Sequence, residues 1–382
     1  MNLPNRFYLL FSSLALTVSA QAQSPVWHSV SSGTTLMLNS VHFTSSTTGY
    51  AVGESSTILK TINGGDTWNN SWNSRAGSLS SVYFPTMDTG YAVGGGCSTG
   101  PVMYCYGLVY KTVNGGLNWA SQEIQYVRFR LERITCVSTQ ICWAAGSGLA
   151  SDGLHPSGGI IKTTDGGVNW TISGNGAYGS IHFPSASVGF VTRFSDFPVP
   201  IGKTVDGGST WSNLSMTGMN SLFFTSVDIG FAVGAIDRYG TFSRIKKTIN
   251  GGVDWITQDS VNLKLKSIFC ISISSCWTVG DSGTIRNTSN GGTTWTSQTS
   301  HSLANLTSVH FPTPDIGYAV GAGGTILKYG VPTALSKGRR SGKNFEIQKK
   351  RILQPFLHGT KSDQILLFDL RGKMILTSKN PL

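Results

Sequence analysis

Charged residues are scarce in this sequence, where they make up only 12% of 382 residues. No part of the chain shows the 3.6-residue apolar period of an amphipathic helix, and after the N-terminal segment no stretch approaches the ~20 apolar residues that span a bilayer. Glycine and tryptophan, in contrast, number 47 and 10. The absences argue against a helical bundle and a helical membrane protein, and the abundance of glycine and tryptophan favours an all-β domain.

Basic residues are concentrated at the C-terminal end. Residues 331–382 contain 11 of the 29 Lys and Arg residues but only 3 of the 18 Asp and Glu residues, so most of the net charge of +11 lies there. The rest of the chain is nearly neutral. It lacks the basic footprint of a nucleic-acid-binding protein, so nucleic acid is not an expected partner.

The first 22 residues have the pattern of a secretory signal peptide. Arg6 supplies a positive charge, residues 7–18 are mainly apolar, and Ala20-Gln21-Ala22 is a small-x-small cleavage site. We therefore expect a soluble, exported protein that is secreted or displayed at the cell surface, with the periplasm as second choice. No transmembrane segment is expected to remain after signal removal.

A repeat occupies most of the remaining sequence. Its first copy contains Ser-Val-His-Phe at residues 40–43, Gly-Tyr-Ala-Val-Gly at 49–53 and Ile-Leu-Lys-Thr-Ile-Asn-Gly-Gly-Asp-Thr-Trp at 58–68. The same parts recur in the same order in copies that end at Trp119, Trp170, Trp211, Trp255 and Trp295. Each copy predicts four short strands, with Asn/Asp-Gly-Gly as a tight turn before the strand that carries the Trp.

A seventh copy is split between the two ends of the repeat region. It starts at Ser308 and reaches Lys328 without the Gly-Gly turn or the Trp, and Trp27 occupies the missing outer-strand position, 16 residues before Phe43. Joining the N-terminal strand to this last copy would leave no free sheet edge. The sequence therefore predicts an all-β fold, a seven-bladed β-propeller over residues 23–330, with a Trp buried at each blade interface.

The motif resembles the Asp-box (BNR) repeat, and more closely the repeats of the photosystem II assembly and stability factor family. Residues 61–68 (Thr-Ile-Asn-Gly-Gly-Asp-Thr-Trp) and 163–170 (Thr-Thr-Asp-Gly-Gly-Val-Asn-Trp) are good examples, and the resemblance extends from Trp27 to Lys328. It implies a propeller that helps to assemble a membrane complex by binding its subunits. Protein partners, no cofactor and no enzymatic activity are therefore expected, for a chain that we expect to be a monomer.

Six cysteines in an exported chain are expected to form disulfides. Two pairs replace the Phe and Gly that frame the first hairpin in the other copies, which places each pair opposite one another and within disulfide reach. The last two cysteines lie in one long loop. The predicted bridges are Cys97–Cys105, Cys136–Cys142 and Cys270–Cys276. No Cys-x-x-Cys spacing or His cluster accompanies them, so no metal site is expected.

The copies differ in the connection between the second and third strands. The interval from the second-strand aromatic to the Trp is 18 residues in copies one and six, but 21 to 28 residues in copies two to five. In an up-and-down blade this connection shares a face with the link between blades. Four consecutive blades are therefore expected to raise long loops over one sector of one face, and such loops concentrate binding residues.

Aromatic and Arg side chains in these loops, and in the link between copies two and three, are the candidate partner-binding residues, because such side chains are typical interface anchors. They are Tyr104, Tyr106, Tyr126, Arg128, Arg130, Arg133, Arg193, Phe194, Arg238 and Tyr239. The alternative is that the insertions are surface loops packed on themselves.

Asp boxes also occur in sialidases and xyloglucan-cleaving glycosidases, so a carbohydrate-active or carbohydrate-binding propeller with an extracellular glycan as ligand is the alternative function. Such hydrolases need facing carboxylates. The propeller contains only three Glu residues, at positions 54, 123 and 132, and Asp165 and Asp206 are turn residues of the repeat. We therefore predict no catalytic residues.

The repeat ends at Val331. Residues 331–343 are predicted to form a basic linker, and residues 344–382 a short β-rich tail in which Arg371-Gly372-Lys373 is the turn between two strands. This hairpin resembles the Tyr/Phe-Asp-x-x-Gly-Lys/Arg core of the C-terminal sorting domain of type IX secretion, without that domain's final strands. The resemblance implies sorting by that pathway in a non-photosynthetic bacterium, and a degenerate β-rich tail is the alternative.

Overall fold

The structure is a computed structural model of the chain, described over residues 24–72, 77–97, 105–122, 124, 127–149, 156–193, 200–235, 242–332, 364–368 and 374–379. The chain divides into two units, residues 1–332 and 333–382. Within the described ranges, regular structure consists of strands and three short 3₁₀ turns, and no helix there is long and apolar enough to cross a membrane.

Seven four-stranded antiparallel sheets make up the first unit, and we number them as blades in chain order. Blade 1 contains β2 (Leu38–Phe43), β3 (Gly49–Gly53), β4 (Ile58–Thr61) and β5 (Asn69–Trp72). Blade 2 contains β6 (Ser78–Tyr83), β7 (Gly90–Cys97), β8 (Cys105–Thr112) and β9 (Ala120–Gln122), and blade 3 contains β10 (Arg130–Cys136), β11 (Cys142–Leu149), β12 (Pro156–Thr163) and β13 (Thr171–Asn175).

The remaining blades follow the same plan, with the first strand innermost. Blade 4 contains β14 (Tyr178–His182), β15 (Gly189–Arg193), β16 (Pro200–Thr204) and β17 (Ser212–Thr217), and blade 5 contains β18 (Ser221–Phe224), β19 (Gly230–Ala235), β20 (Ser243–Thr248) and β21 (Ile256–Val261). Blade 6 contains β22 (Leu265–Cys270), β23 (Cys276–Gly280), β24 (Ile285–Thr288) and β25 (Thr296–Gln298). Blade 7 contains β26 (Leu306–Thr313), β27 (Ile316–Gly321), β28 (Ile326–Gly330) and β1 (Val26–Val30).

The two ends of the repeat region close the ring, as predicted. Strand β1 is the outer strand of blade 7 and pairs antiparallel with β28, with Val26 opposite Gly330 and Val30 opposite Ile326. Trp27 is only 2% exposed and lies against aromatic rings of blades 6 and 7. Closure leaves the propeller without an open seam between its first and last blades.

The first hairpin of most blades is locked by a Phe ring that covers a glycine. Phe43 lies opposite Gly49, and a Cβ atom at Gly49 would come within 2.5 Å of the Phe43 ring. The same arrangement recurs in blades 2, 4, 5 and 7. In blades 3 and 6 the bridges Cys136–Cys142 and Cys270–Cys276 take these two positions, so a covalent bond replaces the ring-on-glycine contact.

The third predicted bridge, Cys97–Cys105, joins β7 to β8 at the loop end of blade 2. All three predicted bridges are thus present, and no cysteine is free. Each closes a short hairpin, so its stabilisation through the unfolded chain is modest, about 2 kcal/mol.

Exchange between the two hairpin locks gives a direct test. The double variant Cys136→Phe, Cys142→Gly restores the residues of the other blades and should keep most of the stability. Cys136→Ala, Cys142→Ala loses both the bridge and the covering ring, and should lower the free energy of unfolding by about 2 kcal/mol or more. Urea unfolding at pH 7 measures both. An equal loss of unfolding free energy in the two variants would show that neither the disulfide nor the Phe–Gly contact sets the stability of this hairpin.

The Asp-box turn is held by its own Thr and Asn. Thr61 Oγ1 accepts the N–H of Gly65 at 2.9 Å, and Asn63 Oδ1 accepts the N–H of Thr67 at 3.0 Å. Gly64 and Gly65 have φ values of +67° and +80°, which other residues adopt at a cost. The turn is therefore a structural element in which the motif's polar side chains are already engaged.

Each blade is also tied to the next through the Lys of the repeat. Lys60 Nζ donates to the Gly115 carbonyl in the turn of blade 2, at 2.6 Å. The same contact is made from blades 2 to 5 by Lys111, Lys162, Lys203 and Lys247. Blade 6 carries Asn287 at this position, and its neighbour, blade 7, is the one blade whose third strand leads to no Gly-Gly turn. The repeat Lys is therefore missing from the one blade whose following blade has no Gly-Gly turn to accept its hydrogen bond.

Aromatic stacking fills the interfaces between blades. The second-strand aromatic of one blade lies flat on the hairpin Phe of the next, as in Tyr50 on Phe84 at 3.9 Å and Trp143 on Phe183 at 3.6 Å between ring centroids. The repeat Trp meets these rings edge-on, as Trp119 meets Phe84 at 5.8 Å. Such pairs add to the hydrophobic gain of burial and explain why the repeat keeps its aromatic spacing.

In the second unit, β29 (Gln364–Phe368) and β30 (Met374–Lys379) pair antiparallel, in agreement with the predicted β-rich tail. The predicted turn residues 371–373 lie outside the described residues, as do the signal peptide and most of the linker.

Candidate functional site

The face that carries the long loops is defined by contacts in the blades with short connections. In blade 1, Glu54 follows the second strand, and its N–H donates to the Met37 carbonyl at 3.0 Å, just before the first strand begins. Asp281 in blade 6 makes the same contact with Lys264 at 2.9 Å. The second-to-third-strand connection and the link between blades therefore share a face, as predicted. We call it the loop face.

The extra length of copies two to five lies between the second and third strands of their blades. In blades 2 and 3 these strands have eight residues each, compared with five and four in blade 1. Both hairpins thus extend outward on the loop face. The tips, residues 98–104, 150–155, 194–199 and 236–241, are outside the described residues.

The predicted partner-binding residues divide accordingly. Five of them, Tyr104, Tyr126, Phe194, Arg238 and Tyr239, lie outside the described residues. The other five are Tyr106, Arg128, Arg130, Arg133 and Arg193, and the structure places them in three different environments.

Arg130 and Arg133 belong to the innermost strand of blade 3, and not to the link before it as the sequence suggested. Strand β10 already begins at Arg130, and a bulge follows Leu131. Arg130 forms an ion pair with Glu132 at 2.8 Å on the loop face, while Arg133 lines the central channel. Arg128, in the link, is exposed.

Tyr106 and Arg193 are half-buried against their own blades. A Cβ atom at Gly96 would come within 2.6 Å of the Tyr106 hydroxyl, so this ring lies across the opposite strand. The Arg193 guanidinium lies 5.5 Å from the centre of the Tyr178 ring, its cross-strand neighbour. These two side chains help to pack the bases of the long loops.

The mouth of the central channel opens on the loop face as a cavity of about 430 Å³. Its charged lining consists of Glu54, Arg130, Glu132, Arg133, Lys264 and Lys266. Glu132 also accepts a bond from the Ser147 hydroxyl at 3.2 Å, and Lys266 pairs with Asp281 at 2.6 Å. With Asp281 included, four cations face three carboxylates, so the mouth keeps a small positive charge. Lys264 and Lys266 were not predicted as site residues. Lys264 immediately precedes the first strand of blade 6, and Lys266 is the second residue of that strand. An alignment of the first strands of all seven copies could have identified both.

Deeper in the channel, the seven innermost strands form a cavity of about 210 Å³ with two rings of side chains. The outer ring is serine in six blades and Arg133 in blade 3; its serines are Ser40, Ser81, Ser180, Ser221, Ser267 and Ser308. The inner ring, two residues further along each strand, is aromatic in six blades and Thr135 in blade 3; its aromatic members are His42, Tyr83, His182, Phe223, Phe269 and His310. We call the inner ring the collar.

The histidines of the collar are held in the neutral form. His310 Nδ1 accepts the N–H of Phe43 at 3.4 Å, and His182 Nδ1 accepts the N–H of Phe224 at 3.3 Å. Burial lowers the pKa of His42 and of His182 to about 4, and lowers the pKa of His310 well below its usual value. Because Nδ1 is an acceptor, the remaining ring proton belongs on Nε2.

The carboxylates of the repeat do not converge on this cavity. Hydrogen bonds from Asn169 in the Asp-box turn lower the pKa of Asp165 to about 2, so it is an ionised turn residue. Those described residues that line this deeper cavity include no Asp or Glu, and Glu54 and Glu132 lie at the mouth above it. Among the described residues, no three His, Cys, Asp or Glu side chains are placed to hold a metal ion.

A family model described as photosynthesis system II assembly factor YCF48 matches residues 19–188 and 256–330, well over half of the chain. The chain belongs to this family. The split match of the YCF48 model leaves out residues 189–255, which contain most of blades 4 and 5. No curated protein matches the sequence.

Solved structures of YCF48 proteins have the same fold. YCF48 bound to a D1 peptide is 18% identical, with a TM-score of 0.60, over 84% of this chain and 99% of that one. YCF48 from Cyanidioschyzon merolae is 17% identical, with a TM-score of 0.61, over 80% and 99%. A GH74 xyloglucanase from Xanthomonas campestris is 10% identical, with a TM-score of 0.62, over 82% of this chain and 55% of the enzyme.

Proposed function

We propose that this protein is an exported, non-catalytic propeller that binds protein partners through its loop face. The observation that supports the proposal is that the strands flanking four consecutive long connections end on the face where the positively charged channel mouth opens. A propeller scaffold with long connections that contain Arg and Tyr residues is well suited to protein recognition.

Membership of the YCF48 family supports this proposal. The family is described as an assembly factor, and one YCF48 structure contains a bound D1 peptide. By analogy, we expect the partner here to be an extended or terminal segment of another protein. The partner need not be a photosystem subunit, because the signal-like N-terminus and the sorting-like tail suggest a non-photosynthetic bacterium.

The alternative, a carbohydrate-active propeller, has weaker support. The xyloglucanase shares only the fold, and this chain spans about half of that enzyme. The two mouth carboxylates are both engaged: Glu54 Oε2 accepts the N–H of Met37 at 3.1 Å, and Glu132 binds Arg130 and Ser147. Hydrolysis of xyloglucan or of a sialoside by the purified protein would favour this alternative.

A four-residue variant tests the loop face. Replacement of Tyr104, Arg128, Arg130 and Tyr239 by Ala should reduce partner capture from the native envelope or medium at least ten-fold, because interface anchors of these types cost about 2 kcal/mol each when truncated. Quantitative mass spectrometry of the captured proteins is the measurement.

The matched control changes four exposed apolar residues of the Asp-box turns to Ser. They are Ile62, Val113, Leu117 and Val205, which are 65–72% exposed. Capture should survive in this control. Undiminished capture by the folded loop-face variant, or loss in the control alone, would contradict the proposal.

A further inference from the structure

Blade 3 breaks the symmetry of the channel at two adjacent levels. Arg133 stands where the other blades have serine, and Thr135, two residues along the same strand, stands where they have an aromatic ring. Neighbouring rings of the collar lie 4.5–5.0 Å apart from Tyr83 through His42, His310, Phe269 and Phe223 to His182. The only gap in this circle is therefore on the strand that carries the guanidinium.

We call the six serines of the outer ring the serine ring; four of their hydroxyl oxygens accept a backbone hydrogen bond. Ser40 Oγ accepts the N–H of Val82 at 3.2 Å, and Ser81 Oγ accepts the N–H of Ile134 at 3.3 Å. Ser221 and Ser308 accept backbone N–H groups of their neighbouring blades in the same way. Because each oxygen already accepts a bond, its own O–H is left as a donor.

The collar adds donors of the same kind, since the neutral histidines that accept at Nδ1 carry their proton at Nε2. Arg133 has donors only, and carboxylates are missing from the channel lining. The polar groups that face this cavity thus offer hydrogens to a ligand, and one of them is permanently charged.

No partner within the described residues accounts for Arg133. Its guanidinium makes no hydrogen bond or ion pair with them, although Glu132 is close enough to favour its charge. Glu132 is bound instead by Arg130 at 2.8 Å and by Ser147. Arg133 also stacks on no aromatic ring of the described chain. The Arg133 guanidinium is therefore available to a ligand that carries a carboxylate, with which it can form a charge-assisted hydrogen bond.

We propose that the central channel is a carboxylate-binding site, in which Arg133 and the serine hydroxyls hold the carboxylate and the collar receives an apolar group attached to it. The ligand class is a peptide end or acidic side chain with an apolar neighbour, so the inference deepens the proposed protein binding and rests on it. A cavity of about 210 Å³ is below the ~300–1,000 Å³ of ordinary ligand pockets. Its size suits a single apolar side chain with a carboxylate attached.

Calorimetric titration of the purified protein with N-acetyl-L-phenylalanine at pH 7 tests this site. The matched probe is N-acetyl-L-phenylalaninamide, which has the same ring and no carboxylate. We expect saturable binding of the acid, at least ten-fold tighter than binding of the amide, because the amide cannot form the charged pair with Arg133. Titration with inorganic phosphate shows whether a simple anion suffices.

Arg133→Ser is the decisive variant, since it restores the residue of the other six blades and should fold normally. Binding of the acid should weaken at least ten-fold in this variant and stay unchanged in Lys246→Ser, where a cation of the third strand of blade 5, outside the channel lining, is lost. The proposal would be overturned by equal binding of acid and amide, by no saturable binding, by phosphate binding more tightly than the acid, or by full binding in Arg133→Ser.

Partner capture separates this inference from the proposed function. Binding of the small acid to a protein that captures no partner would leave the channel site standing and sink the proposed function. If the protein captures a partner through the loop face but does not bind the acid, the proposed function stands and the channel site is ruled out.

Discussion

Replacement of Trp27 by Ala is expected to open the ring as well as destabilise it. Trp27 is 2% exposed, and its ring centre lies 5.4–5.8 Å from those of Trp277, Phe311 and Tyr329. Truncating a buried Trp costs about 3–5 kcal/mol, a large part of the ~5–15 kcal/mol that stabilises an ordinary domain. Urea unfolding should show this loss.

The position of Trp27 makes its loss different from that of any other repeat Trp. Strand β1 is held to blade 7 only by pairing and packing, because no turn joins it to β28. In the Trp27→Ala variant we expect β1 to detach before the ring unfolds. Backbone amides of β28 should then exchange with deuterium roughly 100-fold faster or more, as a local opening of lower free energy.

Trp68→Ala is the matched control. Trp68 is similarly buried, at 7% exposed, but its strand β5 is tied to β4 by the Asp-box turn. This variant should lose comparable free energy while the amides of β4 keep their relative protection. If β28 stays protected in Trp27→Ala, or if β4 and β28 respond alike, then the N-terminal strand is not the weak point of the ring.

Closure could be predicted from the sequence because its signals are local and recur from copy to copy. A Gly-Gly turn, a Trp and a fixed hairpin interval each demand a particular backbone geometry, so their order along the chain gives the number of blades and the split copy. The bridges Cys136–Cys142 and Cys270–Cys276 followed from the same register, since Cys replaced both members of a facing pair.

The candidate site was harder to predict, because the residue at which each innermost strand starts decides which of its side chains face the channel. Arg133 occurs in a run of charged residues and resembled part of an exposed link, whereas the strand starts at Arg130 and turns Arg133 into the channel. The sequence assigned no contact to the Lys of the repeat, and only the packed blades show its hydrogen bond to the next turn. Loop insertions have no register at all, so sequence can count their residues without placing them.

Acid should weaken the propeller through the collar before it titrates the Asp-box turns. The pKa of His42 and of His182 is lowered to about 4 by burial, against 6.5 in the unfolded chain, and burial also lowers the pKa of His310 well below 6.5. Between pH 6.5 and 4 the unfolded chain therefore binds more protons than the folded one. Stability must fall as the pH falls through that window, and the loss stops growing below the folded-state values.

The charges around the collar do not reverse this direction. His310 faces His42, and Arg133 is near His182, so each neighbour further disfavours a second positive charge. Asp165 has a folded-state pKa of about 2, so its contribution is lost only below the ordinary carboxyl range. One pKa unit corresponds to ~1.4 kcal/mol. The three histidines are only partly buried by exposed area, and solvent screening reduces this value, so we expect a total loss of about 3 kcal/mol from pH 7 to 4.

Replacing the three collar histidines by Phe provides the test, because Phe223 and Phe269 already occupy the same ring in blades 5 and 6. The variant loses the Nδ1 acceptors and should be less stable at pH 7 by about 1 kcal/mol for each lost bond. Its free energy of unfolding, measured in urea at half-unit steps, should nevertheless be nearly flat from pH 6.5 to 4. A slope equal to that of the parent protein would place the acid sensitivity elsewhere, and a stability that rises on acidification would contradict the neutral state of these histidines.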